Sequence, residues 1–126
     1  MRETVLLINF QDEKQLRDLK MILFTLKIRM KKVEKKEYLQ QIGFLAGMKN
    51  MEAAPECYEG EELEKEMMVF AGISNQRLDQ ILSMMRKNGV KRVDYKAILT
   101  ETNKTWTVPR LYEEISKEHV QMHRQS

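Results

Sequence analysis

The chain has 126 residues, the length of one domain able to bury a core without disulfide or metal staples. With 42% hydrophobic and 33% charged residues it is not a disordered chain, and a net charge of +3 is too mild to argue for nucleic acid. One cysteine, Cys57, excludes an internal disulfide, and no apolar run nears the roughly 20 residues of a membrane span.

In chain order, Thr4 to Phe10 is short and almost continuously apolar, as a buried strand is. As a signal-peptide core it is too short, so a cytoplasmic protein with no membrane role is expected. Asp12, with Gln15 three residues on, has capping-box spacing. Leu16, Leu19, Ile22, Leu23 and Leu26 then recur with helical period, which predicts a helix over 12–27. Ile28, Met30 and Val33 sit among Lys31, Lys32, Lys35 and Lys36, the pattern of a polar strand near a sheet edge. Tyr38, Leu39, Ile42, Leu45 and Ala46 predict a short helix ending near Gly47, weakened by Gly43 inside it. Residues 49–65 are rich in Glu and contain Pro55 and Gly60, so a solvated acidic connector is expected, with a helical turn at 61–65.

The pattern then repeats. Met67 to Ala71 predicts a second buried strand, and Ser74 a helix cap. Leu78, Ile81, Leu82 and Met85 give the helix its apolar face, and Asn88-Gly89 ends it. Val93, Tyr95, Ala97 and Leu99 alternate with Asp94, Lys96 and Ile98, which predicts a strand. Thr107 and Pro109 open a last helix whose face is Val108, Leu111, Tyr112, Ile115 and His119. A shift of 62 residues lays Leu7 on Val69, Asp12 on Ser74, Leu16 on Leu78, Leu19 on Ile81, Leu23 on Met85 and Ile28 on Val90. The expectation is a single domain over 1–126, with pseudo-repeats 4–48 and 66–120 from an internal duplication. The fold class is α/β: two similar β-α-β-α halves forming one small, mostly parallel sheet flanked by helices. A two-layer α+β sheet with helices on one face is the alternative.

No phosphate-binding loop, dinucleotide fingerprint or nucleophile elbow is present, so no catalytic residue and no cofactor is assigned, and an enzyme ranks last. His119 and His123 have chelating i, i+4 spacing but no third ligand, and no metal is expected. Cys57 lies among Glu56 and Glu59, which raise a thiol pKa, so it is read as incidental. The basic runs Lys27–Lys36 and Arg86–Lys96 could join into one patch if their strands are neighbours, but no aromatic interleaves the lysines of the first, and nucleic acid is not the expected partner. Methionine is abundant, with 10 residues, and core filling is its expected role.

The most distinctive stretch is Thr100 to Arg110, between a strand and a helix. Thr102, Asn103, Lys104, Trp106 and Arg110 are the candidate ligand-binding residues there, for a small molecule or anion. Turn and cap chemistry also explains every residue type in it.

Met68 to Ile73, then Leu99-Thr100-x-Thr102-Asn103-x-x-Trp106 and Leu111 to Ile115, resemble a prokaryotic domain-of-unknown-function family, domain of unknown function 3783. With Ile42 to Gly47 included, the resemblance extends over nearly the whole chain. It implies a small bacterial protein and brings no activity, cofactor or catalytic residue.

The leading functional expectation is a non-enzymatic binding or regulatory module acting through protein contacts, with a protein partner or self-association as a homodimer. Phe24 and Phe44, both off their helices' main stripes, motivate it. The alternatives are the ligand site at 100–110 and a weak nucleic-acid binder.

Overall fold

The computed structural model describes residues 1–125, with side chains described through Val120. Four strands, β1 (Thr4–Ile8), β2 (Arg29–Val33), β3 (Met67–Ala71) and β4 (Tyr95–Ile98), form one sheet in the order β2-β1-β3-β4. The helices are α1 (Glu13–Thr25), α2 (Ile42–Leu45), α3 (Asn75–Lys87) and α4 (Val108–Gln125).

Every residue of β1 and β3 is buried, because both central strands are covered on two faces. On one face Val5, Leu7, Met68 and Phe70 meet Leu19, Ile22 and Leu23 of α1 and Ile81 and Met85 of α3. On the other, Leu6, Ile8, Met67 and Val69 meet Tyr38, Ile42, Leu45, Val108 and Leu111. Helices therefore flank both sides, and the arrangement with helices on one face is not adopted.

Two of the three strand pairings are parallel, β1 with β2 and β3 with β4. The central pair is antiparallel, with Thr4 opposite Ala71 and Ile8 opposite Met67. The mostly parallel sheet expected from alternating elements is thus split by an antiparallel seam. Asn9, just past β1 at φ 61°, donates from Nδ2 to the carbonyls of Leu63 (2.7 Å) and Lys65 (3.3 Å). That contact delivers the chain to Met67 at the carboxyl end of β1, and an entry from that end runs β3 backwards along β1.

The caps read from the sequence are in place. Asp12 accepts the Gln15 N–H at 3.0 Å, and Ser74 accepts that of Arg77 at 3.2 Å. This holds the Asp12 carboxyl below its usual range, chiefly through the Gln15 N–H. Gln15 does not complete a capping box. Its buried side chain donates instead to the Lys91 carbonyl (3.1 Å) and to Glu66 (3.3 Å), tying α1 to the second half. The two long inner helices end alike. Leu26, Lys27 and Ile28 donate to Ile22, Phe24 and Leu23, and 62 residues later Asn88, Gly89 and Val90 donate to Met84, Arg86 and Met85.

Three expectations need correction. The helix expected over 38–47 is a 3-10 turn at Lys35–Glu37 and a single turn of α2, because Ile42 and Gly43 give their N–H groups to the carbonyls of Trp106 and Lys104. No helical turn forms at 61–65, since Glu62 accepts the Tyr38 hydroxyl (2.6 Å) and the neighbouring Leu63 N–H (2.9 Å). The connector is also more than solvated chain. Gln40 exchanges two hydrogen bonds with Ala54, and Tyr58 donates its N–H to Lys36 and packs its ring 5.4 Å from that of Tyr38.

Candidate functional site

The loop after β4 is built by Asn103, which is only 8% exposed. Its Nδ2 donates to the Ile98 carbonyl (3.0 Å) and its Oδ1 accepts the Thr100 N–H (2.8 Å). Its own N–H donates to the Thr100 hydroxyl at 3.1 Å. The loop is then sewn to the first half, with Ile42 bonded to Trp106, Gly43 to Lys104, and Val108 to Tyr38. Trp106 packs against the core on one side and carries the Arg110 guanidinium 4.7 Å from its ring. Lys104 pairs with Glu101, and Arg110 with Glu114 at 3.4 Å. Thr102 is exposed. The five candidate residues are neighbours along the loop, and Asn103 spends its amide on the backbone of its own turn.

The other sequence candidates have equally local placements. The His119 ring lies 5.3 Å from that of Tyr95, and the side chain of His123 lies outside the described residues. No group of three metal-ligating side chains occurs among the described residues. Cys57 is exposed. The basic runs do not join through their strands, because β2 and β4 are opposite edges of the sheet. No helix of the described residues is long and apolar enough to cross a membrane.

Two grooves stand out instead. The first lies where α1 meets β2. It holds about 490 Å³ and is lined by Met21, Leu23, Phe24, Ile28 and Met30, with Arg17 and Lys20 beside them. Phe24 is 84% exposed and Met21 65%, large apolar side chains standing in water on one helix. Arg17, Lys20, Lys27 and Lys32 make no ion pair among the described residues. The off-stripe position of Phe24 was the sequence signal for this face. Phe44, the other off-stripe aromatic, is half-buried.

The second groove, about 390 Å³, runs along the β4 edge between α3 and α4. Lys96 and Ile98 pair with Met68 and Phe70, so they point to the α3 side of the sheet. Burial holds the Lys96 ammonium below its usual range, and the charge of Arg92 adds to this. Lys96 escaped the sequence reading as one more lysine in a basic run. The available signal was Ile98, an apolar residue in the polar phase of its strand.

Residues 66–122 match the family model of a domain of unknown function (DUF3783). No curated protein and no solved structure matches the chain. The match takes in β3, α3, β4, the Asn103 loop and most of α4, while β1 through the connector lies outside it. The resemblance is thus confined to the second half rather than reaching over nearly the whole chain. By that match residues 66–122 of this chain are similar to the DUF3783 family.

Proposed function

We propose that the protein is a non-enzymatic, cytoplasmic binding module that docks an acidic, apolar-faced segment of another protein on the α1–β2 face. The observation that carries this reading is Phe24, 84% exposed on the rim of a groove lined by Met21, Leu23, Ile28 and Met30. An exposed aromatic beside an apolar groove is the usual form of an interface anchor. Charge selects the partner. Arg17 and Lys20 line the groove, and Lys32 shares the face of β2 that Met30 occupies. A second copy docking through the same face would set these cations against themselves, whereas an acidic segment would neutralise them.

The test is an NMR titration of the whole chain with a synthetic acidic amphipathic helix of about four turns. Saturable shifts centred on Met21, Leu23, Phe24 and Met30 are expected, weakened by salt and by Phe24→Asp. Shifts that are absent, or indifferent to Phe24→Asp, contradict the reading.

Internal duplication belongs to the same proposal. Its support is that α1 and α3 start and end 62 residues apart and finish in equivalent hydrogen bonds. In the central seam Leu6 faces Val69 and Leu7 faces Met68, two pairs that the same shift exchanges. Only the first copy carries the exposed apolar face, since Arg86 stands where Phe24 does.

A further inference from the structure

We propose that the groove along β4 binds a small amphiphilic monocarboxylate, its acid group held by Lys96 and its apolar tail lying against Leu78, Leu82 and Ile98. This site is separate from the α1–β2 face and does not depend on it.

The apolar part of the groove is Phe70, Leu78, Leu82, Ala97, Ile98 and Ile115, from two strands and both flanking helices. Leu78 and Leu82 were expected in the core, yet only Ile81 and Met85 of α3 are fully buried. Ile98 is 48% exposed on the edge strand beside them. About 390 Å³ is within the range of small-molecule sites.

The polar end is Lys96. Its ammonium donates to the Val93 carbonyl at 2.6 Å and makes no ion pair among the described residues. Asp94, the nearest acid in sequence, is taken by Arg92 (3.1 Å) and Lys65 (3.7 Å). Lys96 therefore retains N–H donors and positive charge beside an apolar wall, with no carboxylate of the protein bonded to it. A neighbouring hollow of about 320 Å³ shares Leu82 and Lys96 and adds Arg86 and Arg92, so the surroundings of the head are cationic. Glu118 also lines the groove, on its α4 wall, so a ligand with one carboxylate meets less like charge there than one with two. Asn103 also lines the groove, but its amide is committed to its turn, so it shapes the wall rather than holding the ligand.

Octanoate and octylamine, added separately to the whole chain and followed by NMR, test this. Saturable octanoate binding is expected, with shifts at Leu78, Ile98 and Ile115, while octylamine is excluded. Lys96→Met should weaken octanoate roughly tenfold or more, the loss of one charge-assisted contact. Leu82→Asp should abolish binding, and Phe24→Asp should leave it unchanged. Lys96 and Leu82 are half-buried and Phe24 is exposed, and each variant's own spectrum reports whether it is folded. No saturable binding at millimolar octanoate, equal binding of octylamine, or full binding by folded Lys96→Met overturns the proposal.

Discussion

Gly43 donates its N–H to the Lys104 carbonyl at 2.8 Å, and a Cβ on Gly43 would lie 3.1 Å from that same oxygen. The glycine is there because two backbones, one from each half, touch at that point. The tips of Met48 and Met51 close the same space and can move aside, whereas the Lys104 carbonyl is held by its loop. Gly43→Ala is therefore expected to destabilise the fold by about 1–2 kcal/mol despite alanine's better helix propensity. Urea unfolding measures it, and an unchanged midpoint would show that the two backbones can part without cost.

Asn103→Ala removes the bonds to Ile98 and Thr100 from a buried turn. A loss of about 2 kcal/mol is expected in the same assay. Arg110→Ala removes only an exposed pair and a ring contact, and less than about 1 kcal/mol is expected. Similar losses in the two variants would contradict the structural role given to Asn103.

Much of this architecture is legible in the sequence. The unbroken apolar character of Val5–Ile8 and Met67–Ala71 marks strands covered on both faces, and Asp12 and Ser74 mark where the helices begin. What the sequence hides are long-range choices. Asn9 could have been any loop polar residue, yet it holds Leu63 and Lys65 at the end of β1 from which β3 starts its antiparallel run. Gln15 has the spacing of a capping box but spends its amide on Lys91, a partner 76 residues away. For the candidate site, Phe24 was readable because one helix period exposes it. The groove around Lys96 was not, since α3, β4 and α4 form it only when folded together.

Arg77 grips Glu3 with two hydrogen bonds, at 2.9 and 3.0 Å, and reaches the Leu26 carbonyl at 2.6 Å. The hydrogen bond from Arg77 holds the Glu3 carboxyl below its unperturbed 4.5. A depressed carboxyl stabilises the fold above the unfolded value, and that stabilisation is lost as pH falls through the folded value. Acid is therefore expected to destabilise the wild type below about pH 4.5, and Arg77→Gln less steeply. Parallel stability profiles for the two proteins would remove this pair from the account.

Lys27 and Gly89 end the two inner helices at φ 59° and 65°, both left-handed. No atom stands within 4 Å of a Cβ added at Gly89, so Gly89→Ala is expected to cost about 1 kcal/mol from backbone strain alone. Lys27→Gly relieves the equivalent strain, offset in part by unfolded-state entropy, and is expected to be neutral or stabilising by up to about 1 kcal/mol. Thermal melts distinguish these signs, and a destabilised Lys27→Gly would break the equivalence of the two ends.

The most direct test of the protein-docking reading is affinity capture from cell extract with three baits: wild type, Phe24→Asp and Lys96→Met. Phe24 is exposed, so its variant is expected to melt with the wild type, and the comparison then reads the surface alone. An acidic partner retained by wild type and Lys96→Met, and lost from Phe24→Asp and in high salt, is the expected result. A partner recovered equally by folded Phe24→Asp would place the interface elsewhere and contradict the account.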